Sequence, residues 1–204
     1  RRGVDQLVGR EADVADQIAA VGSVGGGTSN QVTTSTFSTG VAQELVALLP
    51  SADEVPSGLV LVEERQRSLD EVGQVYADPA LTTQLFGEWG WQGNVYREFA
   101  PPGGVVASTD DIDYARVGAH RFGGPDQAAE AAAYIAEDTF TESGGQMDDG
   151  PAIGDGAISL SGQNENGNWM ILVVHRGPDV FSINVSSPTG DPSGVAIDLA
   201  QSVL

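Results

Sequence analysis

The chain contains neither cysteine nor lysine, and these two absences exclude whole classes of chemistry. Without cysteine there is no disulfide, no thiol nucleophile and no cysteine-ligated zinc or iron–sulfur centre. Without lysine there is no Schiff-base catalysis, no phosphate-loop lysine and no serine–lysine catalytic pair. The sequence also has no G-x-S-x-G nucleophile elbow. We therefore commit to no catalytic residue and no cofactor.

Long apolar runs are absent as well. No stretch of about 18 apolar residues occurs, so we expect no direct membrane insertion. The chain opens on Arg1 and Arg2 with no starter methionine and no apolar core behind them, unlike a signal peptide. We expect a processed product whose anchor lay upstream. Many Asp, Gly, Ser and Thr residues fit an exported, lipoprotein-like bacterial protein at the cell surface or outside the cell.

Positive charge is scarce. The net charge is −20, because 29 acidic residues outnumber 9 arginines. Such an excess repels nucleic acid phosphates and anionic lipids, so we expect neither as a partner. A solvated acidic surface is the simpler interpretation, and binding of a cation or a basic partner is the alternative.

The first 40 residues are predicted to form an appendage to the main domain. Apolar residues recur at helical spacing over residues 4–21, which predicts a helix that packs on the domain or forms a homodimer with a second copy. Residues 22–40 are rich in Gly, Ser and Thr, which is typical of a linker. A strand at residues 32–37 is the alternative.

Residues 41–204 are predicted to form a single α+β domain. Strand patterns occur at residues 59–62, 94–99, 112–122, 157–162, 169–176 and 180–187. Helix patterns occur at residues 41–49 and 68–76, and after Asp78, Gly124 and Asp191. The turn at residues 164–167 carries Asn-Gly, a strong hairpin signal. We expect a twisted, antiparallel sheet of about six strands with helices packed against it.

Local signals support the helices of this domain. Ser68 and Glu71 have the spacing of a capping box, and Asp78-Pro79 is a strong helix start. The helix that follows has an apolar stripe predicted to face the sheet, composed of Leu81, Leu85 and Trp89.

The order of elements and the placement of aromatic residues resemble a known group of proteins. The resemblance covers residues 49–204 and rests on Asp78-Pro79, Leu85, Trp89-Gly90-Trp91, Tyr96-Arg97-Glu98-Phe99, Ala119-His120-Arg121-Phe122 and Pro125-Asp126. These features resemble the external domains of mycobacterial-type sensor kinases and, more distantly, the Mog1/PsbP-like α/β sandwich. The resemblance implies a non-enzymatic, exported binding module with a cleft between sheet and helices. Those sensor domains usually carry disulfides, which this chain lacks.

Aromatic and arginine side chains concentrate on two neighbouring strands after the Trp-Gly-Trp corner. Aromatic walls with arginine suit an anionic or flat organic ligand, so we predict a ligand-binding site. Core aromatics with arginines paired to Glu98 or Asp113 are the alternative. The candidate residues are Trp91, Tyr96, Arg97, Tyr114, Arg116 and His120.

Two further functions stay open. The first is a structural or self-association domain of a cell-surface protein. The second is a hydrolase that uses carboxylates with His120 and His175, the only histidines, each of which is followed by Arg. Zinc-ligand and EF-hand spacings are absent, so no metal site is predicted. Two acidic runs are interpreted as solvated loops rather than calcium sites: Asp110, Asp111 and Asp113, and Asp148, Asp149 and Asp155.

Overall fold

The computed structural model describes residues 39–104 and 111–204. The predicted helix at 4–21, the strand at 32–37 and most of the Gly/Ser/Thr-rich segment lie outside these ranges. The helices are α1 (Thr39–Leu48), α2 (Leu69–Gly73), α3 (Pro79–Glu88), α4 (Pro125–Ser143) and α5 (Ser193–Ser202), with a 3₁₀ turn at Pro102–Gly104. The strands are β1 (Val60–Arg67), β2 (Gly93–Ala100), β3 (Tyr114–Arg121), β4 (Gln146–Asp149), β5 (Gly156–Asn164), β6 (Gly167–Arg176) and β7 (Asp179–Ser187).

The strands form one antiparallel sheet in the order β1-β2-β3-β7-β6-β5-β4. The α+β prediction is confirmed, with seven strands where about six were expected. The strand that the sequence missed is β4, whose four side chains are all exposed. An edge strand of this kind buries no face, so its sequence shows no alternation of apolar and polar residues.

Helices cover both faces of the sheet. Helices α1 and α5 pack on one face, and α2, α3 and α4 pack on the other, which we call the α4-side face. As predicted, Phe181, Ile183 and Val185 of β7 are buried together, on the α1/α5 side. The polar residues between them are half-buried on the other face. Within the described ranges, no helix combines the length and apolarity needed to cross a bilayer.

The β5–β6 hairpin is present, but its turn differs from the expected one. The two residues between the strands are Glu165 and Asn166, and no non-glycine residue of the described chain has a positive φ. Gly167, the first residue of β6, has φ of +133°, and a Cβ there would run into the backbone oxygen of Ser187. Glycine is therefore required at position 167 both because the backbone of Ser187 is close and because φ is positive.

Both predicted capping signals around α2 and α3 are present. Ser68 and Glu71 form a reciprocal capping box at α2. At α3, Asp78 Oδ1 accepts a hydrogen bond of 3.0 Å from the backbone N–H of Leu81. These bonds satisfy N–H groups that a helix start leaves without partners.

The predicted apolar stripe of α3 is wrong at Leu81, which is 43% exposed. The helix instead buries Thr82 and Phe86, which are both fully inaccessible. The Phe86 ring lies 5.2 to 6.1 Å, centroid to centroid, from the rings of five residues: Tyr76, Trp89, His120, Phe122 and Tyr134. These contacts join α3 to β3 and α4, so they set the rotation of the helix.

We expect Phe86→Ala to lower the free energy of unfolding by about 3–5 kcal/mol, because it removes a fully buried ring and leaves a cavity. Leu81→Ala on the same helix should cost less than about 1 kcal/mol, since that side chain is exposed. Urea denaturation followed by circular dichroism measures both. Equal losses of unfolding free energy in the two variants would contradict packing through Phe86 and would favour packing through the predicted stripe that includes Leu81.

Candidate ligand-binding face of the sheet

The alternation of β1, β2 and β3 places several polar and aromatic side chains on the α4-side face. In register, Tyr96 lies between Arg65 and Gly118, and Asn94 lies between Arg67 and His120. Arg116 and Tyr114 lie on the same face, because they are two and four residues before Gly118 on the same strand. A Cβ at Gly118 would lie 3.7 Å from the Cβ of Tyr96, which is ordinary van der Waals contact.

Two arginines pack against the ring of Tyr96. The guanidinium carbon of Arg67 lies 4.3 Å from the ring centroid, and that of Arg116 lies 4.2 Å from it. Both distances are within the range of cation–π interactions. The Tyr96 hydroxyl donates a 2.6 Å hydrogen bond to Glu63 Oε2, which fixes the ring between β1 and β3. We call these three residues the Arg67–Tyr96–Arg116 stack.

The stack brings two positive charges close together in an acidic protein. Burial lowers the pKa of Arg67, and repulsion from Arg116 lowers it further. Among the described residues, no carboxylate lies within ion-pair distance of Arg67. Burial also raises the pKa of Tyr96, as does its hydrogen bond to Glu63.

His120 is buried beside the stack. The indole N–H of Trp91 donates a 3.2 Å hydrogen bond to His120 Nδ1, so that nitrogen must accept. Burial lowers the pKa of His120 to about 3, and the charges of Arg67 and Arg116 contribute to the shift. The imidazole is therefore neutral at physiological pH and carries its proton on Nε2, which lies 3.2 Å from the Asn94 amide nitrogen.

The Asn94 amide is incompletely satisfied. Its Nδ2 donates to the backbone oxygen of Ala119 at 3.1 Å and faces the donor nitrogen of His120. Its Oδ1 is buried with no partner among the described residues. Exchanging the amide oxygen and nitrogen gives His120 an acceptor but makes two oxygens face each other at Ala119. Neither orientation satisfies both contacts.

Five of the six predicted site residues gather on or beside this face: Trp91, Tyr96, Tyr114, Arg116 and His120. Arg97 does not join them, because it points to the opposite face. Its Nε donates to Glu64 Oε2 at 2.7 Å, and its Nη1 donates to the backbone oxygens of Leu49 and Pro50. This arginine connects β2 to the chain that follows α1.

Sequence reasoning missed Arg67 and Asn94. The predicted first strand ended at residue 62, whereas β1 continues to Arg67 and brings it opposite Asn94. A register shift between Leu61 and Glu63 sets which of the following side chains face α4. The alternation of hydrophobic residues in β1 is too weak to reveal that shift, since Val60, Leu61 and Val62 are all exposed.

The two histidines do not form a joint site. His120 and His175 both lie opposite Val180, one on each neighbouring strand. Two strand spacings separate their backbones by roughly 9–10 Å. Both ring nitrogens of His120 are already in contact with Trp91 and Asn94. Within the described ranges, no group of three His, Asp or Glu side chains could hold a metal ion.

A groove of about 390 Å³ lies elsewhere, between α4 and the β4–β5 edge. Its lining residues are Ala133, Ala136, Glu137, Met147, Asp148, Asp149 and Ile158. The groove is acidic and contains none of the six predicted ligand-binding residues, although Asp148 and Asp149 belong to one of the two acidic runs noted in the sequence.

Comparison with known proteins supports the fold. No protein-family model matches this chain, and no curated protein matches it. The crystal structure of the extracellular domain of PknH from Mycobacterium tuberculosis is similar, with a TM-score of 0.54 and 15% sequence identity over 79% of this chain and 95% of that one. The predicted resemblance to the external domains of mycobacterial-type sensor kinases is thus confirmed at the level of the fold.

The buried, neutral state of His120 predicts a pH dependence of stability. Below its ordinary pKa of about 6.5, the unfolded chain binds a proton at this residue and the folded chain does not. The free energy of unfolding should therefore fall as pH falls, with a slope from His120 approaching about 1.4 kcal/mol per pH unit below pH 6.

Urea denaturation at intervals between pH 7.5 and 5.5 measures the slope. His120→Gln should remove this contribution, while His175→Gln keeps it. A slope that His120→Gln leaves unchanged would show that the imidazole is protonated in the folded protein.

Proposed function

We propose that this chain is a non-catalytic, extracytoplasmic binding or sensory domain whose small ligand contacts the α4-side face of β1, β2 and β3. The observation that carries the proposal is the Arg67–Tyr96–Arg116 stack, in which two half-buried guanidinium groups converge on one aromatic ring. Stacked arginine and aromatic groups are suited to recognising a ligand, and they include no nucleophile or proton-transfer pair.

The location outside the cytoplasm is supported by two independent features. The fold is shared with a domain that is extracellular in PknH. The sequence has no lysine and is rich in Asp, Gly, Ser and Thr, a composition that suits an exported bacterial protein. An upstream anchor and self-association through residues 4–21 remain predictions.

A binding role accounts for His120 better than a catalytic one. A general base needs a pKa near the operating pH and access to the substrate proton. His120 has a pKa of about 3 and is only 7% exposed. Its hydrogen bond to Trp91 is better suited to fixing the indole beside the stack.

The indole N–H signals of the three tryptophans provide the test. We expect compounds of a small-molecule library that bind the chain to shift the ¹H–¹⁵N signal of Trp91, because its indole contacts His120 beside the stack. Trp169 lies on β6, away from the stack, and serves as the internal control.

Assignment by Trp91→Phe and Trp169→Phe identifies each signal. The proposal would be overturned by a library in which every binder shifts Trp169 or the groove residues and none shifts Trp91 or the amides of β2 and β3. Turnover of substrate that requires His120 or His175 would favour the hydrolase instead.

A further inference from the structure

We propose that strand β4 and the groove beside it bind a basic, extended peptide segment of a partner protein, which adds to the seven-stranded sheet as a further strand. Strand β4 is at the opposite edge of the sheet from β1, so this surface is separate from the Arg67–Tyr96–Arg116 stack. The inference does not depend on the proposed function.

The backbone of β4 is paired on one side. In the described sheet, β4 pairs with β5 and ends the strand order. The N–H of Gly150, directly after β4, donates a 2.9 Å hydrogen bond to the backbone oxygen of Ala157. Because the bonding direction alternates along an antiparallel strand, Asp148 also bonds toward β5, whereas Met147 and Asp149 direct their N–H and C=O groups to the outer edge. These two residues can form up to about four backbone hydrogen bonds with an added strand.

The same two residues direct their side chains into the groove. Met147 lies opposite Leu160, and Asp149 lies opposite Ile158. Both β5 residues belong to or pack against the core under α4, so both β4 side chains lie on the α4-side face. A strand paired with β4 would therefore place every second side chain in the groove between β4 and α4.

The lining of this groove is suited to a basic side chain. Its apolar part includes Ala133, Ala136 and Met147, and its charged part includes Glu137 and Asp149. An arginine or lysine fits this mixture, because its aliphatic stem covers apolar surface while its charged end meets carboxylates. A metal ion is less suited, since the described residues contain no group of three side chains that could hold one.

The charges of β4 disfavour a second copy of this strand as the occupant. Antiparallel pairing of two β4 strands would bring Asp148 and Asp149 of one copy beside those of the other. Like charges opposite each other on paired strands are destabilising, and charged edge strands keep sheets from joining edge to edge. A basic strand turns the same charges into an attraction, so the edge discriminates in favour of such a partner.

The test is a titration of the 204-residue chain with an acetylated and amidated hexapeptide of alternating arginine and threonine, at pH 7.5 and low ionic strength. In ¹H–¹⁵N spectra, the amides of Met147 and Asp149 should show saturable shifts. Their hydrogen exchange should slow at saturation, because both N–H groups gain acceptors. A peptide with glutamate in place of arginine should not bind. Salt of about 1 M should weaken binding, because it shortens the Debye length to about 3 Å.

Matched variants separate the groove from general electrostatics. Glu137→Gln and Asp149→Asn should each weaken binding about two- to fivefold, as expected for exposed charge pairs, and together about tenfold. Asp198→Asn removes the same charge from α5, on the opposite face of the sheet, and should change binding less than about 1.5-fold. All three side chains are exposed, so the variants should fold, which circular dichroism checks.

Methylation of the peptide backbone tests strand addition itself. One isomer carries N-methyl groups on its three arginines and the other on its three threonines. In an added strand, alternate N–H groups bond to β4 and the others point away, so methylation of one set alone should abolish binding. The sensitive set is the arginines if the strand is antiparallel to β4 and the threonines if it is parallel.

Several outcomes would overturn this inference. They are non-saturating shifts, equal binding of the two methylated isomers, an equal loss in Asp198→Asn and Asp149→Asn, and saturable shifts centred on β1, the other edge of the sheet. A shift of the Trp91 indole would place the peptide at the stack instead. Failure at β4 leaves the ligand site on β1, β2 and β3 to its own test, which uses Trp91 and a small-molecule library.

Discussion

The packing of the α4-side layer depends on one side chain, Phe86. Its ring contacts Tyr76 after α2, Trp89 at the end of α3, His120 and Phe122 around β3, and Tyr134 on α4. Helix α3 has only ten residues, and isolated helices of that length are marginal in water. Tertiary contact through Phe86 therefore decides both whether this helix forms and which of its faces meets the sheet.

The same packing produces the electrostatics of the candidate site. Phe86 and Phe122 cover His120, whose pKa falls because the charged imidazole would lose its hydration. Further along β2 the cover is incomplete, and Arg67 and Arg116 lie half-buried against Tyr96. At the boundary between the buried aromatic cluster and solvent, packing orients a charged side chain while part of that side chain stays accessible to a ligand.

Much of the fold could be predicted from local patterns. Capping at Ser68 and Asp78, the Asn-Gly hairpin and the alternation of β7 each depend on a few consecutive residues, so they were recognisable in the sequence. Most of the candidate site was also recognisable, because Tyr96, Tyr114, Arg116 and His120 lie at even spacing on two strands. Arg97 and Tyr96 are neighbours on β2, so their side chains point to opposite faces of the sheet. Arg97 therefore does not belong to the candidate site, although it is next to Tyr96 in the sequence.

By itself, the sequence determined the type and approximate bounds of most elements and excluded cysteine and lysine chemistry, because those properties depend on local backbone preference and composition. Only the tertiary structure decided that Phe86 rather than Leu81 faces the core, that β4 forms an edge strand, and that Arg67 meets Arg116 across Tyr96. Each of these depends on the register or rotation of one element against another. Register and rotation are set by the sum of many long-range contacts, which no short stretch of sequence contains.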